Sequence, residues 1–188
     1  MCIDYDSNQY SKHGDEADMD VRTNPTVGVV PVEVLAQAAG LEFLRGVIDG
    51  RHPVPPIADL IGFSLTEVDF GRAVFESTPE LRHYNPLGTV HGGYAATLLD
   101  SCMGCAVHTT LPAGVGYITL EFKVTLIRGI STETGVVTAE GRILNSGRRA
   151  ASAEGRLTDA KGRLLAHATT TCLVFDLPAD TKPLAGRG

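Results

Sequence analysis

Between Asn85 and Thr109 a glycine-rich turn, Asn85-Pro86-Leu87-Gly88-Thr89-Val90-His91-Gly92-Gly93, leads into a stretch with almost no polar face. Ala95, Ala96, Leu98, Leu99, Cys102, Met103, Cys105, Ala106 and Val107 fall on all sides of a helical wheel. A helix over about residues 92–109 is therefore expected to be buried on most faces, with Pro112 and Gly114 ending it. Whatever this chain folds into must enclose that helix. The helix carries a single carboxylate, Asp100. Backbone N–H groups at a helix start receive developing negative charge, and a lone acid among apolar residues is where a base or nucleophile is tuned, so both halves of a hydrolytic site are in view.

The remaining pattern is strand-rich. Ile61 to Val68 and Arg72 to Ser77 read as strands joined near Asp69-Phe70-Gly71, and longer strands are expected at Tyr117 to Ile127, Gly135 to Leu144, Arg148 to Asp159 and Arg163 to Phe175. Ser146-Gly147 and Lys161-Gly162 supply turns. Before them, Val34, Leu35, Ala38, Leu41, Leu44, Val47 and Ile48 recur at helical spacing, which predicts one amphipathic helix over about 31–49, broken by the Pro53 to Pro56 segment. Residues 1–30, rich in Asp, Ser, Asn and Gly, are expected to be a mobile extension, 31–176 one domain, and 177–188 a short tail. The fold class expected is α+β, an antiparallel sheet around one buried helix.

A net charge of −6 argues against general nucleic-acid binding, so contacts to phosphate must be concentrated in a few arginines. Cysteines stand at 2, 102, 105 and 172, and no secretory leader or membrane-spanning run is visible, which points to a reducing, cytoplasmic setting. Cys102 and Cys105 form a Cys-x-x-Cys pair, but no second ligand pair follows at zinc spacing, and the pair reads as small residues on a buried helix rather than a metal or redox site.

Asn85, Gly88, His91, Gly92, Gly93 and Asp100, together with the Gly116 to Arg128 strand, closely resemble the hotdog-fold acyl-CoA thioesterases of the phenylacetate-degradation (PaaI-like) type. The resemblance spans roughly residues 31–176. It implies a curved antiparallel sheet wrapped around a long central helix, assembled as homodimers or dimers of dimers, and hydrolysis of an aryl- or medium-chain acyl-CoA to free acid and CoA without metal or other cofactor.

Thioester hydrolysis needs donors aimed at the carbonyl oxygen and a group that activates water or attacks the carbon. The Gly92 N–H is the candidate donor and Asp100 the candidate base or nucleophile, two roles the sequence does not separate. Eight residues of helix hold their backbones about 12 Å apart, so one thioester carbon hardly reaches both within one chain. Each site is therefore expected to combine Gly92 of one subunit with Asp100 of its neighbour across a two-fold interface. Asn85 either orients thioester or water or bonds its own turn, and His91 either polarises the carbonyl or caps the helix. Thr119 matches the position where relatives carry Ser or Thr near the attacking water, and it is also an ordinary strand former. Gly93 belongs to the substrate turn; Arg128, Arg148 and Arg149 are candidates for the CoA phosphates or plain surface charges; Tyr94 and Met103 line an aryl pocket or pack the core.

Two other readings share these residues. One is a hotdog thioesterase dedicated to a hydroxyaryl- or naphthoyl-CoA. The other is a non-catalytic acyl-CoA binding or sensing module, which has no need for a desolvated acid such as Asp100.

Overall fold

The computed structural model describes residues 26–178. Three short helices, α1 (Val32–Leu35), α2 (Gly40–Ile48) and α3 (Pro56–Ile61), precede strands β1 (Phe63–Asp69) and β2 (Arg72–Ser77). The long helix α4 (Gly92–His108) follows, then β3 (Val115–Leu126), β4 (Val137–Ser146), β5 (Ala150–Asp159) and β6 (Leu164–Asp176). The strands form one antiparallel sheet in the order β1-β2-β4-β5-β6-β3, which curves around α4 as in the hotdog fold.

The helix α4 packs against all six strands. Leu98, Leu99, Cys102, Met103, Ala106 and Val107 are fully buried, as an all-round apolar helix requires. The sheet reaches it through a glycine pair. Gly141 of β4 lies opposite Gly155 of β5, and a Cβ at Gly141 would stand 2.2 Å from the Cys102 carbonyl oxygen, while one at Gly155 would stand 2.9 Å from Met103 Cγ. Central strands with side chains at these positions would hold the helix off the sheet.

The segment read as one helix over 31–49 is two pieces. Ala39 is extended (φ −64°, ψ 147°) and restarts the chain at Gly40, whose N–H bonds the Leu111 carbonyl at 3.0 Å. A Cβ at Gly40 would fall 1.8 Å from the His108 carbonyl oxygen, so this glycine docks α2 against the end of α4. Helical periodicity carries through the break because a tertiary contact, not local propensity, makes it. The proline segment, read only as a breaker, starts α3, with Pro56 in the first turn and Gly62 (φ 77°) as its left-handed cap.

Of the extension expected over 1–30, residues 1–25 lie outside the described residues, as does the tail expected from 177 beyond residue 178. Residues 26–28 are tied down: Val54 N–H bonds the Thr26 carbonyl at 2.8 Å and Gly28 N–H bonds the Val54 carbonyl at 3.0 Å. No described helix is long and apolar enough to cross a membrane.

Strand β3 contains a bulge. Thr119 pairs with Cys172 and Glu121 with Thr171, leaving Leu120 without a partner. Before the bulge odd-numbered residues face α4, namely Tyr117 against Gly104 and Thr119 against Asp100. After it the even-numbered Val124 and Leu126 do so. The phase change keeps both ends of one strand against the helix, and it leaves Ile118 and Leu120 in solvent at 55% and 60% exposure.

Candidate active site

The turn before α4 is built by Asn85 bonding its own loop. Its Oδ1 accepts from the Leu87 N–H at 2.8 Å, its Nδ2 donates to Thr89 Oγ1 at 3.0 Å, and its N–H bonds the Thr89 carbonyl at 2.8 Å. Gly88 supplies the positive φ (79°) that closes the loop. Asn85 thus shapes the turn, an Asx-type role.

His91 is the N-cap of α4. Its Nδ1 accepts from the Gly93 N–H at 2.8 Å, which assigns the ring proton of the neutral imidazole to Nε2, and its own N–H is held by the His83 carbonyl at 2.8 Å. The Tyr94 N–H turns back to the His91 carbonyl at 3.0 Å. Of these first-turn donors, the Gly92 N–H alone has no acceptor among the described residues. It borders a cavity of about 250 Å³ lined by Asn85, His91, Ala95, Leu126 and Arg128. A Cβ at Gly92 would stand 2.7 Å from Leu126 Cδ1, so a side chain there would push the leucine tip aside.

Asp100 lies two turns further along α4. It is half-buried rather than enclosed as the sequence suggested, because its side of the helix looks toward β3 at the edge of the sheet. Thr119 Oγ1 donates to Asp100 Oδ1 at 3.0 Å. The bond fixes one carboxylate oxygen. Asp100 opens into a second cavity of about 800 Å³, also lined by Ser101, Cys105, His108, Tyr117 and Thr119. Desolvation keeps the neighbours neutral: burial pushes the Cys105 thiol up to about 12, raises Tyr117 well above the usual phenol range, and lowers His108 to about 4. Among the described residues, Asp100 is the only Asp, Glu, Lys or Arg on this cavity's wall.

Among the described residues, the two cavities share no lining residue. Gly92 and Asp100 therefore present their chemistry to separate spaces in one chain.

Other sequence candidates divide. Arg128 lines the small cavity beside Gly92, with its guanidinium also bonded to the Leu164 carbonyl. Arg148 and Arg149 are exposed at the β4–β5 turn and line neither cavity. Gly93 is exposed with its N–H taken by His91. Tyr94 is buried, its hydroxyl donating to Ser77 Oγ at 2.7 Å and its ring 4.7 Å from that of His83. Met103 is fully buried beneath Gly155. Within the chain both Tyr94 and Met103 pack in the core. Cys102 sits in the core, and no group of three metal-binding side chains occurs among the described residues.

Ser101 and His108 carry no motif in the sequence, and Cys105 reads there only as a packing residue of the Cys-x-x-Cys pair. Their i, i+4, i+7 spacing makes one α4 stripe less apolar than the rest, and that stripe borders the cavity at Asp100.

The profile of the thioesterase superfamily matches residues 87–166, a segment that begins within the glycine turn and holds α4 and Asp100. No curated protein matches the chain significantly. Among solved structures, a phenylacetic acid degradation-related protein of Ralstonia eutropha JMP134 is 28% identical, with 70% of this chain and 98% of that one covered at a TM-score of 0.64. A point mutant of the phenylacetic acid degradation protein PaaI from Thermus thermophilus is 26% identical, with 63% and 97% covered at a TM-score of 0.57. A Streptococcus mutans UA159 protein bound to acetyl-CoA shares the fold at 23% identity, with 61% and 90% covered and a TM-score of 0.56. The match over residues 87–166 and the shared fold thus support a thioester hydrolase similar to the hotdog-fold thioesterases of the PaaI-like type.

Proposed function

We propose that the protein hydrolyses acyl-CoA thioesters at sites shared between two copies of the chain. The observation that carries this reading is the separation of Gly92 and Asp100 into cavities without a common wall, although hydrolysis needs both at one carbon. A second copy supplies the missing half of each. The edge strand β3 supports such pairing: it ends the sheet and exposes Ile118 and Leu120 beside Asp100's partner Thr119.

In the assembled site the Gly92 N–H donates to the thioester carbonyl oxygen, helped by the positive end of the α4 dipole. The Asp100 oxygen not held by Thr119 takes a proton from water as the water oxygen attacks the carbonyl carbon. The tetrahedral oxyanion collapses, the C–S bond breaks, and the departing CoA sulfur receives the proton from Asp100. Direct attack by the same oxygen, giving an anhydride that water then cleaves, uses the same geometry. Arg128, beside Gly92, suits the CoA phosphates through its forked guanidinium, and the acetyl-CoA bound by the Streptococcus mutans structure supports a CoA thioester as ligand.

A CoA-release assay over acetyl-, phenylacetyl-, hydroxybenzoyl- and dodecanoyl-CoA, run beside Asp100→Ala, tests the reading. Turnover by the wild type and a collapse of kcat in the variant support it. Absence of turnover on every thioester, or an unchanged kcat in the variant, overturns it.

A further inference from the structure

We infer that the segment 28–65, which lies before the family-matched residues, forms an acyl-chain chamber that selects an extended aliphatic thioester over a small aryl one. The inference rests on the acyl-CoA thioesterase reading and adds the substrate class. Four observations carry it.

The chamber has a polar edge where Asp100, Ser101 and Thr119 contribute to its wall, while Leu35, Phe43, Leu44, Val47, Phe63 and Leu65 give it apolar walls. It is thus continuous with the acid proposed to act at the thioester carbon. Its volume, about 800 Å³, is near the top of the roughly 300–1,000 Å³ typical of small-molecule sites, and a twelve-carbon acyl chain fills more of it than a phenylacetyl group does.

Its charge also identifies the occupant. No Lys or Arg among the described residues lines it, so it does not suit the phosphates of CoA, whereas Arg128 stands on the other cavity. His108, the one histidine among the described residues of the wall, stays uncharged near neutral pH because burial lowers its pKa to about 4. The acyl group, not the CoA head, is the part of an acyl-CoA that such a wall binds.

The wall is fixed, not incidental. Gly40 docks α2 on the His108 carbonyl, and the Phe43 ring stacks on His52 at 4.7 Å and meets His108 at 5.6 Å. Ring contact continues from His108 to Tyr117 at 5.5 Å, joining α2 to the wall beside Thr119. Each methylene buried here is worth about a four-fold gain in transition-state binding.

The test compares kcat/KM for dodecanoyl-, phenylacetyl- and acetyl-CoA in the wild type, Val47→Phe and Ile48→Trp. Val47 is half-buried on the wall and Ile48 is 40% exposed, so the second variant fills the chamber without entering the core. The expected result is a dodecanoyl preference of at least ten-fold over phenylacetyl in the wild type, reduced at least ten-fold in both variants. Phenylacetyl preference in the wild type, or an unchanged ratio in folded variants, overturns the inference. Calorimetric binding of decanol separates this failure from failure of the hydrolase reading. Decanol binding lost in Val47→Phe, without turnover of any thioester, retains the chamber and removes the reaction. Turnover of thioesters without decanol binding or chain-length preference retains the reaction and removes the chamber.

Discussion

Thr119 Oγ1 donates a 3.0 Å hydrogen bond to Asp100 Oδ1, joining the edge strand β3 to the central helix next to the bulge at Leu120. The bulge lets Thr119 face α4 on one side of it and Leu126 close on Gly92 on the other. A strand without that extra residue would turn one of these two contacts away from the helix.

Because the hydroxyl holds a carboxylate oxygen, Thr119 acts as a positioning residue. Thr119→Val is expected to lower kcat about ten-fold or more, the scale of a hydrogen bond to a charged group, with little change in KM. Thr119→Ser is expected to restore most of kcat. Steady-state kinetics on one acyl-CoA checks both, and a loss confined to KM would contradict the role.

At Gly92 the donor and the space are separable. The residue is the first of the helix and His91 before it is extended (φ −62°, ψ 138°), so proline fits the backbone while deleting the N–H. Gly92→Pro combined with Leu126→Ala is expected to reduce kcat by about 10²–10³, the cost of one oxyanion donor. Gly92→Ala with the same Leu126→Ala keeps the N–H and is expected to retain most activity. Equal losses in the two double variants would mean that shape, not the donor, matters.

The helix-to-sheet contact at Gly141 predicts a stability effect remote from the chemistry. Its added Cβ would meet backbone, the Cys102 carbonyl, which yields less readily than a side-chain tip. Gly141→Ala is expected to destabilise by about 1–3 kcal/mol, a fall in Tm of roughly 2–4 °C per kcal/mol at this chain size. Thermal unfolding followed by circular dichroism reads it, and an unchanged Tm would show that the sheet has slack.

His108 gives the fold a pH dependence. Burial lowers its pKa from 6.5 to about 4, so between these values the unfolded chain binds the proton and the folded chain does not. Its contribution is fully present above pH 6.5 and is lost as pH falls toward 4, about 3 kcal/mol in all. Urea unfolding at several pH values should show stability rising with pH across that window, and His108→Leu should flatten the slope. An identical slope in the variant would contradict the assignment.

Much of this was legible in the sequence because it follows from local pattern. The all-round apolar run fixed α4 as the enclosed element, and the Asn85–Gly93 turn marked its start. The rest depends on contacts between distant residues. Ile118, Leu120, Val124 and Leu126 read as one alternating face, yet the bulge sends the first two outward and the last two against the helix. The break before Gly40 is set by His108, nearly seventy residues away, and therefore leaves no trace in helical period. Arg148, Arg149, Tyr94 and Met103 have suitable chemistry for a site; the register places the arginines at the β4–β5 turn, outside both cavities of the single chain, and packing puts the other two in the core. The chamber formed by the first helices was invisible because its walls look like any amphipathic face.

The central claim is that Gly92 of one copy works with Asp100 of another, and complementation tests it most directly. Two inactive variants, Asp100→Asn and the Gly92→Pro/Leu126→Ala double variant, are unfolded together in equal amounts and refolded. Random pairing makes half the dimers mixed, and each mixed dimer has one of its two sites intact, so activity is predicted to rise to about one quarter of the wild type. Activity remaining at the level of the separately refolded variants, with mixed dimers demonstrated by differential tags, would contradict the shared site.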